Sequence, residues 1–212
     1  DARVCAGASR ALKITIFDRI LLLITGLLAA YQVASGINGL EEVPIGAYTI
    51  AFGVLLLAGL LLIILGFEVL DSPIVVIVST IIPLSMSLGL IWQFIPKIGF
   101  SYLIFTILGF LAIILTRILK VKKTIQTLIL ASIHGVAGLI IFLLPSIFAA
   151  KGICRPGFAL VGVGGALISI AGLLLSLLKT GKPILPRETI FRILPSLLLL
   201  MTVAFVVGFA TA

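Results

Sequence analysis

Acidic side chains, histidine and cysteine are all scarce in this chain. Its 212 residues hold seven Asp and Glu, one His and two Cys, and only 10% are charged. A soluble domain carries about a quarter charged residues, so this chain has too little polar surface to face water. The two cysteines, Cys5 and Cys154, stand far apart with no C-x-x-C spacing, which excludes a thiolate metal cage or redox pair built from this chain alone. A single histidine excludes bis-histidine haem ligation. The GxxxxGK[ST], HExxH and GxSxG motifs do not occur, and with them go the phosphate loop, the zinc protease and the nucleophile elbow. Gly162, Gly164 and Gly165 form a glycine cluster inside an apolar stretch, so it is no dinucleotide loop. No catalytic residue, cofactor or metal ligand set is expected, and the chain is read as a non-enzyme.

What the chain has in abundance is apolar surface. Hydrophobic residues make up 62% of it and its mean hydropathy is +1.42, more than a globule of this size can hide from water. A bilayer crossing takes about 20 apolar residues. Seven such spans are found, at about 16–37, 46–67, 73–95, 98–119, 125–149, 157–178 and 190–211. Period-two alternation is missing, and lipid offers no partner to an unpaired backbone group, so the spans are helices. The expected fold is an all-α, polytopic transmembrane bundle occupying 1–212 as one integral membrane domain in a cell membrane (plasma, or inner if prokaryotic). Short connections make consecutive helices antiparallel neighbours.

Net charge is +8, but its distribution speaks for a membrane and against nucleic acid. Twelve of the fifteen Lys and Arg fall on one side: Arg3, Arg10, Lys13, Arg19, Arg117, Lys120, Lys122, Lys123, Lys179, Lys182, Arg187 and Arg192. Lys97, Lys151 and Arg155 are left for the other. The positive-inside rule then gives N-in and C-out, with membrane lipids as partners of the inner cations. The two cysteines lie on opposite sides, so no disulfide joins them. Residues 1–14 form a basic segment read either as an interfacial helix or as a plain tail. The chain begins at Asp1 without Met; a cleaved signal peptide would put this end outside, against the charge rule, so a trimmed or partly ordered cytoplasmic end is expected.

Ionisable groups inside a membrane are functional candidates by default. His134 sits well inside span five, read either as a relay or ligand, or as a neutral imidazole bonded across helices to a serine or carbonyl. Span three is the most polar, with Ser79, Thr80, Ser85, Ser87 and Gln93 around Pro83. Thr80, Pro83 and Ser87 share a face, and Pro83 frees the carbonyl of Ser79. This describes either a broken helix lining a polar pathway towards His134 or a packing helix whose hydroxyls serve its own backbone. At the inner turn, Asp71 is expected to cap span three, and Glu68 to pair with Arg117, Lys120 or another inner cation. Asp18 is an anchor near a helix N-terminus, Glu41 and Glu42 are solvated, and Tyr31, Tyr48, Trp92 and Tyr102 belong to interface belts.

Small residues recur at four-residue spacing in Ala30/Ala34, Ala47/Ala51, Ala131/Gly135, Gly165/Ser169 and Ala204/Gly208/Ala212, the geometry of close helix approach in lipid. Gly26/Gly135, Pro44/Pro156, Gly53/Gly164 and Pro73/Pro183 recur at offsets of 109 to 112 residues, a faint 3+1+3 repeat with span four as linker. The segment GVAGLIIFLLPSIFA (135–149), a span ending in proline and followed by a glycine-bearing span, is similar to small repeat membrane proteins of the acid-resistance HdeD type. That resemblance covers a hairpin or two, rests on Gly and Leu spacing and assigns no functional residue.

Three functions follow as expectations. The first is a non-catalytic structural or accessory subunit of a larger membrane complex, supported by the small-residue faces. The second is a small permease or channel for a neutral or hydrophobic solute, which requires a substrate-sized cavity between spans three and five reaching one side. The third is a lipid- or quinone-handling protein using Glu68, Asp71 and the inner cations.

Overall fold

The computed structural model describes residues 14–37, 41–119, 121–179 and 183–211, with only the backbone of Asp71 and Lys179. Seven helices fill it: α1 (Ile16–Ser35), α2 (Glu42–Leu65), α3 (Pro73–Phe94), α4 (Gly99–Ile118), α5 (Lys123–Ala150), α6 (Ala159–Lys179) and α7 (Arg187–Ala210). All seven, α4 and α6 with the short turns before them, are long and apolar enough to cross a membrane, and the chain is an integral membrane protein by that measure. No strand occurs among the described residues. The basic N-terminal segment, all but Ile14, lies outside the described residues, as do Cys5, Lys120 and Lys182.

Local chemistry sets the helix ends. Thr15 and Asp18 form a reciprocal capping box at α1, with Asp18 accepting from both Thr15 N (2.9 Å) and Thr15 Oγ1 (2.8 Å). That pairing satisfies orphan N–H groups of the first turn. α2 starts at Glu42, four residues before the expected boundary, because Pro44 is accepted in its first turn. It ends at Gly66, whose φ of +73° is a left-handed conformation open to glycine. A 3₁₀ turn, Phe67–Asp71, follows. Ser72, not Asp71, then caps α3: its side chain accepts from Ile74 N at 3.3 Å. Pro73 fixes the first helical position, so the cap falls on the residue directly before it.

The helices close into a ring. α1 packs on α2 and α7, α2 on α3, α3 on α5, α5 on α6 and α6 on α7, while α4 leans on α3 and α5 from outside. α3 is the most enclosed helix of the bundle and α4 the least. The helix N-terminus of α1 and the α2–α3, α4–α5 and α6–α7 connections share one end of the ring. The α1–α2, α3–α4 and α5–α6 connections share the other.

This second end is solidly packed. Tyr48, Phe52, Phe158, Phe205 and Phe209 are buried together, with ring centroids 4.6 Å apart for Tyr48–Phe209 and 6.0 Å for Phe158–Phe209. Glycines bring α6 against both neighbours here. A Cβ on Gly165 would stand 2.6 Å from Ile141 Cγ2, and one on Gly208 would stand 2.7 Å from the backbone N of Val161. Tyr48 and Tyr102 are buried rather than in a surface belt, because each hydroxyl finds an acceptor inside the bundle. Tyr48 donates to Gln93 Oε1 (2.8 Å) and Tyr102 to Ser87 Oγ (2.9 Å). Tyr31 remains exposed. The glycines paired by the faint repeat meet different surroundings: a Cβ on Gly53 would meet nothing within 4 Å, whereas one on Gly164 would strike the Phe205 ring.

Candidate functional site

At the first end the helices do not meet across the ring axis. A cavity of about 550 Å³ lies between α2, α3, α5, α6 and α7. It runs from the level of Pro83, Phe142 and Met201 to Val69 and Leu70 of the 3₁₀ turn, so it reaches that end of the bundle. Its volume falls within the roughly 300–1,000 Å³ of small-molecule sites. Ile74, Leu139 and Leu173 line it and are more than half exposed, at 69%, 58% and 56%, which leaves the chamber partly open.

The cavity exists because small residues stand where α5 and α6 face it. Gly135 and Gly172 both line it, and a Cβ on either would meet nothing within 4 Å. Ala131 and Ala166 extend the same surface. Ala131/Gly135 therefore bound empty space, whereas Ala47 and Ala51 are buried in helix contacts.

Among the described residues, four polar side chains reach the lining: Ser79, His134, Ser169 and Ser176. His134 Nδ1 lies 3.2 Å from the Leu130 carbonyl, so the imidazole is tied to its own helix rather than across helices. A carbonyl only accepts, which puts the proton on Nδ1 and leaves Nε2 as a lone-pair acceptor in the neutral ring. Ser79 Oγ donates to Val76 O (3.1 Å) and Ser169 Oγ to Gly165 O (2.8 Å).

The structure brings Ser79, Pro83 and His134 to one wall and keeps Thr80 and Ser87 away from it. Thr80 Oγ1 is buried against Val76 O (2.7 Å), and Ser87 Oγ against Pro83 O (2.7 Å) while accepting from Tyr102. α3 runs unbroken through Pro83, because its hydroxyls serve their own helix.

Glu68 is exposed on the 3₁₀ turn. Arg117, expected to face it, donates to Gln126 Oε1 at 2.7 Å, and Gln126 Nε2 reaches back to Thr116 O and Val121 O, both at 2.9 Å. An amide can serve all three because it offers acceptor and donors together, and so it closes the C-terminal turn of α4. Glu41 and Glu42 are exposed and Asp18 is buried in its capping box.

Sequence reasoning missed the roles of Gln126, Gly135 and Gly172. Gln126 is signalled only by being the one amide beside the α4–α5 connection; nothing separates Gly135 and Gly172 from glycines at tight crossings. Among the described residues no three His, Cys, Asp or Glu gather as a metal site. No protein family, curated protein or solved structure matches the chain, so the likeness of 135–149 to small repeat membrane proteins gains no support.

Proposed function

We propose that this chain is a small membrane carrier for a neutral, largely apolar solute, and that the cavity enclosed by α2, α3, α5, α6 and α7 is its binding chamber. The observation that carries this reading is the chamber itself: of ligand size, lined by aliphatic side chains, and reaching one end of the bundle. Its other end is closed by the Tyr48–Phe52–Phe158–Phe205–Phe209 cluster, which speaks for a carrier loaded from one side over a continuous pore. With N-in orientation, the open end faces the basic, cytoplasmic side.

The accessory-subunit reading drew its positive support from small-residue faces. Ala47, Ala51, Gly165 and Gly208 are occupied by internal packing, so they give less reason to invoke partner subunits. Catalysis gains no support from a lining whose hydroxyls at Ser79 and Ser169 are bonded to their own backbone.

Gly135→Phe with Gly172→Phe is designed to fill the chamber from two positions where an added Cβ meets nothing within 4 Å. Protein purified in mild detergent is extracted and its small molecules are identified by mass spectrometry. The wild type is expected to carry a defined apolar molecule in stoichiometric amount, and the filled variant to lack it while melting no lower. A wild type that enriches nothing, or a filled variant that carries the same molecule, overturns the reading.

A further inference from the structure

The polar atoms of the chamber are of one kind at the level of Pro83. Ser79 and Ser169 have already donated their hydroxyl protons to Val76 and Gly165. His134 has donated from Nδ1 to Leu130, and its Nε2 has no partner among the described residues. Pro83 lacks the N–H that an α-helix would offer to the carbonyl of Ser79, four residues earlier. Among the described residues the wall therefore shows lone pairs and has no proton left to give, except that Ser176, one turn from the end of α6, adds a hydroxyl nearer the mouth. An acceptor left unpaired away from water is costly, so an occupant that brings a donor gains over one that does not.

The lining also excludes charge. Among the described residues it contains no Lys, Arg, Asp or Glu side chain, so neither a carboxylate nor an ammonium head would find a counter-ion there. An amide would bring a carbonyl that needs a donor of its own. A hydroxyl is the neutral group that fits. We infer that the chamber takes a neutral apolar alcohol, its hydroxyl donating to His134 Nε2 beside the freed Ser79 carbonyl and its hydrocarbon body lying along Leu55, Leu62, Ile82 and Leu194. This rests on the carrier reading and names its substrate class.

The test uses the full chain in phosphatidylcholine nanodiscs and three probes with one hydrocarbon body: hexadecanol, methyl hexadecyl ether and hexadecanoic acid at pH 8. Dissociation constants are measured for the wild type and for His134→Leu. The wild type is expected to prefer the alcohol over the ether by about tenfold, the range of one buried hydrogen bond, and to bind the ionised acid more weakly than either. His134→Leu is expected to bind alcohol and ether alike. The wild-type comparison stands even if that variant fails to fold. Equal binding of alcohol and ether by the wild type, or tightest binding of the acid, overturns the hydroxyl assignment and leaves the chamber reading in place. A preference for alcohol that survives His134→Leu overturns the role of the imidazole. If none of the three probes binds, the carrier reading falls as well.

Discussion

Single side chains in this bundle mostly satisfy themselves, and the exceptions connect helices. Tyr102 ties α4 to α3 through Ser87, and Gln126 closes the α4–α5 connection through three hydrogen bonds, one of them from the Arg117 guanidinium. The two should differ in weight. Interhelical hydrogen bonds in membranes average about 0.6 kcal/mol, so Tyr102→Phe is expected to lower thermal stability in detergent only slightly. Gln126→Ala removes the partner of a charged group and strands helix-terminal carbonyls, with an expected cost of roughly 1–3 kcal/mol. Unfolding both variants side by side checks the order; equal losses would show that the Gln126 cluster has no special weight. These partners were poorly legible beforehand. One of the two readings of His134 has its imidazole bonded across helices, but its Nδ1 bonds Leu130 on its own helix, where a carbonyl one turn back lies within reach. Tyr48 and Tyr102 were expected at the membrane surface, since a sequence does not reveal that Gln93 and Ser87 wait on the facing helix.

Elements were far more legible than side chains. Helix ends fell close to the expected span limits because apolar length is fixed by bilayer thickness, and Pro73, Gly36 and Gly66 mark starts and stops. The cavity was not legible, for a physical reason. Glycines that draw helices together and glycines that leave a hole are the same residue in sequence. Gly208 stands against the backbone of Val161 on α6, while Gly172, lower on α6, meets nothing. Gly208→Ala should therefore overpack a backbone crossing that cannot yield, costing about 1–3 kcal/mol. Gly172→Ala should raise stability by up to about 1 kcal/mol through helix propensity. Melting temperatures that move in the same direction for both would contradict this division of α6 into a tight half and a vacant one.

The whole molecule is a ring with its two ends in different states, one sealed by aromatic rings and one hollow. Its orientation can be read from Cys154, on the sealed end in the α5–α6 connection. Burial pushes this free thiol above its ordinary pKa, and the thiolate is the reactive form. In a Cys5→Ser background, a membrane-impermeant maleimide should label intact cells slowly at neutral pH. Labelling should quicken as pH rises past the ordinary thiol range, since the raised pKa keeps the proton on longer. Labelling that requires broken cells would reverse the N-in, C-out assignment.

The habit of the serines and threonines in bonding their own helix has a consequence for how the protein is made. α1 leaves the ribosome ahead of its partner α7, so the face of α1 bearing Leu22 waits in lipid while α2 to α6 are made. Thr25 donates to Leu21 O (2.8 Å) and Gln32 to Gly36 O (2.9 Å), so neither needs α7 to neutralise it. Thr202 on α7 is likewise paired with Leu198 O (2.7 Å) before α1 is met. α1 and α7 are thus ready for lipid as they are delivered, and the closure between them is left to shape.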